Sequence, residues 1–96
     1  MQKLTPEILD KEVMRIIREV GDIKTQIKIK PEHKLKDGLM FDSLDTIDLA
    51  VKLEDLLKQH THRKFEIPGE EIERWKLVKD VTSYIGNCAE QNGLYS

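Results

Sequence analysis

The chain has 96 residues, 39% of them hydrophobic and 35% charged, with a formal net charge of −2 and a mean hydropathy of −0.51. That length suits one domain with a modest core, because small domains bury a smaller share of their surface; a single domain is expected over 1–96, with its core in about 5–90 and a flexible tail at 91–96. No apolar run approaches a bilayer span, and the first twenty residues mix acids and bases where a signal peptide would be continuously apolar, so a soluble cytoplasmic protein without membrane contacts is expected.

Thr5-Pro6-Glu7 reads as an N-cap, a proline at the first helical position and an acid facing the helix dipole, opening a helix to about Val20. Ile8, Leu9, Val13, Ile16, Ile17 and Val20 form its buried stripe. Gly21-Asp22 ends it. In residues 21–41, lysines alternate with Ile23, Ile27 and Ile29 in a way compatible with a short strand, but Pro31 and Gly38 make a long loop the better reading.

A second helix starts at Asp42 or Ser43 and runs to about Lys58 without glycine or proline. Residues 60–64 follow as a polar, basic connection. Phe65-Glu66-Ile67-Pro68 is extended, since a residue before proline avoids the helical region, and 69–75 has room only for a short helical piece. The last helix carries Val78, Val81, Ile85 and Cys88 on one face, with Gly93 in a frayed end. Cys88 is the lone cysteine, which excludes an internal disulfide and a cysteine-rich zinc site; it reads as a small buried hydrophobe. The expected fold is all-α: a small bundle of three main helices plus one short helix, with a long loop between helices 1 and 2.

The second helix has two apolar faces. Leu49, Ala50, Leu53, Leu56 and Leu57 make a broad stripe suited to a core, while Leu44, Ile47 and Val51 fall on the opposite side among Asp48, Glu54 and Asp55. Either the second strip touches the long loop, or it is exposed and docks transiently on basic partners, with apolar contact area and steering charge side by side. The head of this helix, Asp42-Ser43-Leu44-Asp45, has two readings as well. Asp42 or Ser43 caps the helix, or the Ser43 hydroxyl carries a phosphodiester where first-turn N–H groups and the helix dipole favour negative charge.

With the motif Asp42-Ser43-Leu44, the chain resembles the acyl carrier proteins, whose phosphopantetheine attachment motif is Asp-Ser-Leu. The resemblance covers roughly residues 5–88. Ile29-Lys30-Pro31-Glu32 with Leu35, Asp37 and Leu39 is similar to the family's loop before the attachment serine; Asp45-Thr46-Ile47-Asp48-Leu49 and Leu53-Glu54-Asp55 are similar to its second helix, and Glu66-Ile67-Pro68 with Glu70-Glu71 to the lead-in to its third. The tripeptide alone is weak; the joint order and spacing are specific.

The resemblance implies a non-catalytic carrier. A phosphopantetheinyl transferase would move 4′-phosphopantetheine from coenzyme A onto Ser43 with magnesium, and Asp42 would support the modification. The arm's thiol would hold acyl groups as thioesters for fatty acid or specialised lipid or polyketide synthesis. Leu44, Asp45, Ile47, Asp48, Val51, Glu54 and Asp55 would dock on acyl-processing enzymes with basic patches, the carrier itself being a monomer. An acyl chain would slip between helices near Ala50, Leu53, Ile67, Ile72 and Val81, unless those five are plain core.

Three departures point to a specialised carrier: Met40-Phe41 stands where small residues are usual, the connection at 58–64 is longer and more basic, and the chain is less acidic than housekeeping members. The rival reading is an unmodified helical adaptor using the Leu44, Ile47 and Val51 face, with Ser43 only capping. A free-standing enzyme is disfavoured because Cys88, His33, His60 and His62 form no recognisable nucleophile–base arrangement. His60-Thr61-His62 reads as solvated surface before a metal site, so no metal is expected. Nucleic-acid binding would need a basic recognition helix, and the best-defined helix is acidic.

Overall fold

A computed structural model describes residues 4–61 and 64–95 of the chain. Thr5 opens the first helix, α1 (Pro6–Val20), with its Oγ1 accepting a hydrogen bond from the Ile8 N–H at 3.2 Å. Pro6 sits where its missing N–H costs nothing. Leu9, Val13, Ile16 and Ile17 are buried, and Ile8 and Val20 pack half-buried at the edge of the same stripe. Among the described residues three more helices follow in chain order: α2 (Ser43–Thr61), α3 (Gly69–Arg74) and α4 (Val78–Gln91). α1 packs against α2 and α4, and α3 leans on α2.

The expected bundle of three main helices and a short one is what the chain forms, with one boundary displaced. α2 continues through Thr61, beyond Lys58, because nothing in its last turn breaks a helix and Lys58 and His60 complement the negative end of its dipole. His60 and Thr61 therefore belong to the helix and not to the connection; His62 and Arg63 lie outside the described residues.

The long loop is a loop, and it has a definite path. It leaves α1 through Gly21 and through Asp22, whose φ is 50°. Its only antiparallel bridge among the described residues joins Lys34 to Leu77. Around that bridge the Leu35 N–H donates to the Lys76 carbonyl at 2.9 Å, while Val78 and Lys79 N–H groups donate to the carbonyls of His33 (3.0 Å) and Pro31 (2.9 Å). The first-turn donors of α4, which no helix can satisfy internally, thus find acceptors in the loop. Ile29, Leu35, Leu39 and Phe41 are buried against the helices, so the loop forms one wall of the core.

At the other end, Leu94 N–H donates to the Ala89 carbonyl at 2.9 Å and the Tyr95 hydroxyl to the Gly86 carbonyl at 3.4 Å. α4 reaches Gln91, and the described part of the expected tail turns back onto the core, with Leu94 and Tyr95 half-buried. No helix among the described residues is long and apolar enough to cross a membrane.

Candidate functional site

The head of α2 is closed by two aspartates that cap each other. Asp42 Oδ1 accepts from the Asp45 N–H at 2.8 Å, and Asp45 Oδ2 accepts from the Asp42 N–H at 3.1 Å. This is the reciprocal geometry of a capping box, with aspartate at both positions. Thr46 reinforces it, donating from its N–H and its Oγ1 to the Asp42 carbonyl at 3.1 and 3.0 Å. The cap is therefore Asp42. Ser43, the first residue of the helix, is exposed, and its hydroxyl has no hydrogen-bond partner among the described residues.

α2 presents its two faces to different surroundings. Leu49, Ala50, Leu53, Leu56 and Leu57 are buried, whereas Leu44 is 76%, Ile47 54% and Val51 48% exposed. The strip does not lie under the loop. Asp48 and Asp55 are exposed beside it, Asp48 within 3.9 Å of Lys52. Two acids of the expected docking set have internal work instead: Asp45 is in the cap, and Glu54, half-buried, accepts the Ile67 N–H on Oε2 at 2.6 Å. Glu54 thereby ties α2 to the extended segment before α3, a contact thirteen residues apart with no local signal in the sequence.

Beside Ser43 a groove of about 620 Å³ opens between the loop, the head of α2 and the junction of α3 with α4. Leu35, Phe41, Ile47, Ile72, Trp75 and Leu77 make it apolar, with Lys34, Lys36 and Lys76 among its charged lining. Trp75 is buried and held by a hydrogen bond from Nε1 to Glu71 Oε2 at 3.2 Å and by the Tyr84 ring 6.0 Å away. Of the five residues where an acyl chain was expected to slip in, only Ile72 lines this groove. Ala50, Leu53, Ile67 and Val81 are buried in the packed core. No local pattern announces the groove, because it is assembled from the segments 34–47 and 72–77, which meet only in the fold.

Immediately before the cap, Met40 is 79% exposed and has a φ of 62°. The pair Met40-Phe41, which departs from the family's small residues, is divided by the fold: Phe41 is buried against Gly21, and Met40 faces water. The other nucleophile-bearing residue lies apart from all this. Cys88 is buried on α4, and burial pushes its thiol up, only partly offset by a hydrogen bond with Tyr84. His60 is exposed in the last turn of α2, and its expected companion His62 lies outside the described residues.

The described residues thus form a small all-α domain of four helices with an exposed serine at the head of the second. No family model matches the chain, but curated acyl carrier proteins do. One from Helicobacter hepaticus is 41% identical over 58 residues, 60% of this chain and 68% of that protein. One from Chlorobium phaeovibrioides is 38% identical over 79 residues, covering 82% of this chain and 91% of its own. The meromycolate extension acyl carrier protein of Mycobacterium leprae is 33% identical over 89 residues, 93% of this chain and 71% of that protein. The chain belongs to the acyl carrier protein family.

Proposed function

We propose that this chain carries acyl groups on a 4′-phosphopantetheine arm attached to Ser43 and delivers them to enzymes of fatty acid or specialised lipid or polyketide synthesis. The observation that carries the reading is the division of labour at the head of α2. Asp42 and Asp45 do the capping, so the Ser43 hydroxyl is exposed and has no hydrogen bond to give up before it reacts. Attachment joins Oγ to the pantetheine-side phosphorus of coenzyme A, breaks the pyrophosphate bond, releases adenosine 3′,5′-bisphosphate and sends the hydroxyl proton to a base of the transferase, with magnesium balancing the phosphate charge.

The residues present fit such a group. A phosphodiester on Ser43 meets the positive end of the α2 dipole, and the groove beside it is open and largely apolar. When bound, the arm supplies a thiol that holds acyl groups as thioesters. The chain's own contribution is to hold the attachment point rigid at a capped helix end and to present Leu44, Ile47 and Val51 with Asp48 and Asp55 to partners. Apolar area gives contact, and the acids favour enzymes with basic docking patches. Asp45 contributes charge from within the cap, and Glu54 from beside the strip while bonded to Ile67.

Intact mass before and after incubation with coenzyme A, magnesium and a phosphopantetheinyl transferase tests the reading. One phosphopantetheine is expected on Ser43, located by peptide mapping. A Ser43→Ala variant is expected to keep its stability to within a few tenths of a kcal/mol, as surface changes do, and to take no arm. Absence of any addition to the wild-type chain with several transferases supports instead an unmodified adaptor docking through Leu44, Ile47 and Val51.

A further inference from the structure

Residues 39–41 place three apolar side chains directly before the cap, and the fold treats the middle one differently. Leu39 and Phe41 are 9% and 3% exposed, while Met40 is 79% exposed. The segment is held on both sides. The N–H groups of Gly38 and Leu39 donate to the Lys34 carbonyl at 3.0 and 2.9 Å, and the Phe41 N–H donates to the Leu35 carbonyl at 2.9 Å. With its neighbours anchored, Met40 adopts a φ of 62°, in the left-handed region that side-chain-bearing residues disfavour.

Met40 thus combines two unfavourable features, a left-handed backbone and an apolar side chain in water, and buries little in return. Glycine would remove both. Strain that surrounding structure holds in place is a pointer to function. Met40 and Leu44, at 79% and 76%, are the two most exposed large apolar side chains described, and they flank Ser43 in the chain.

Resting on the reading of Ser43 as the modified residue, we infer that Met40 is a specificity-determining contact for the phosphopantetheinyl transferase that modifies this chain. An enzyme acting on the Ser43 hydroxyl must bring its reacting atoms within bonding distance of Oγ, and a surface that does so meets the side chains on either side. Enzymes that act on the thiol work a whole arm's length away and have no such obligation. The recess that receives Met40 is apolar, and its surroundings are basic to match Asp42 and Asp48.

The test is steady-state transfer from coenzyme A with magnesium, using the source organism's transferase and the wild-type chain, Met40→Gly and Met40→Leu, with a thermal midpoint for each. Met40→Gly is expected to raise the KM for the carrier by about fivefold or more with kcat held within about twofold, the split that marks lost binding energy, without lowering the midpoint. Met40→Leu, which keeps the apolar bulk, is expected to stay within about twofold of wild type. An unchanged or lowered KM for Met40→Gly, a loss carried by kcat, or an equal loss in Met40→Leu overturns the inference. If the wild-type chain is modified normally, such a result counts against Met40 alone; if the wild-type chain takes no arm, the Ser43 reading goes and this one goes with it.

Discussion

Phe41 shows how a single side chain connects the loop to the attachment point. Its buried ring lies so close to Gly21 that a Cβ built there would stand 2.6 Å from Cε1. The ring is buried at 3% exposure, so making room for a methyl group would displace it within the core or into the groove it lines. Gly21→Ala is therefore expected to destabilise the protein by about 1–3 kcal/mol, the usual cost of overpacking a filled site. A urea titration followed by circular dichroism checks it, and a midpoint equal to wild type would mean the ring is less confined than its burial indicates. The same contact explains why residues 39–41 divide as they do. Phe41 is drawn inward over Gly21, Leu39 is drawn inward two residues earlier, and Met40 is left outside.

At the scale of elements, the short-range chemistry of helix ends matters most. The two aspartates at the head of α2 satisfy each other's backbone donors, which leaves Ser43 structurally idle. Asp42→Ala is expected to cost about 1 kcal/mol, the typical loss of an N-cap, and to fray the turn that holds Ser43. The companion Ser43→Ala change should leave stability almost untouched. Comparing the two unfolding curves distinguishes this arrangement from one in which Ser43 is the cap, where the order of the two losses would reverse. Such local chemistry was legible in the sequence. Thr5 and Pro6 announced α1 because capping acts within four residues, and the apolar stripes of α1, α2 and α4 announced their buried faces. The elements whose form depends on distant partners were not legible. Helical geometry placed Leu44, Ile47 and Val51 opposite the core but left open whether the loop covers them. The bond from Ile67 to Glu54, the positive φ of Met40 and the groove beside Ser43 all arise only when remote segments meet. At the candidate site the serine and the apolar strip were visible, the cap was narrowed only to Asp42 or Ser43, and the cavity beside them was not visible.

At the scale of the whole molecule, the described side chains whose shifted protonation falls in the alkaline range lie on α4 and the segment after it, and they give the fold a direction of pH sensitivity. Burial, a hydrogen bond with Cys88 and the negative charges around it push the Tyr84 hydroxyl up to about 12. Burial raises the Cys88 thiol above its ordinary 9.0, against the pull of Tyr84, and burial with the carboxylates of Asp10, Glu90 and Glu7 raises Tyr95 above 10.0. Each group holds its proton to higher pH folded than unfolded, so in alkali the folded state binds more protons and stability falls as pH rises. The contribution is complete below the unfolded-state values and disappears as pH climbs through the folded ones, a window from about 9 to about 12. The consequence reaches the groove, because the Tyr84 ring packs against Trp75, which lines it. The expected result is a urea midpoint that holds steady from neutrality to about pH 8.5 and then declines, with the fluorescence of the single tryptophan reporting the loss. Tyr84→Phe removes one of the three titrating groups and should flatten that decline. A slope unchanged by the substitution would assign the alkaline loss to Cys88 and Tyr95 alone, and a midpoint that does not fall at all would mean that none of the three groups is shifted by folding.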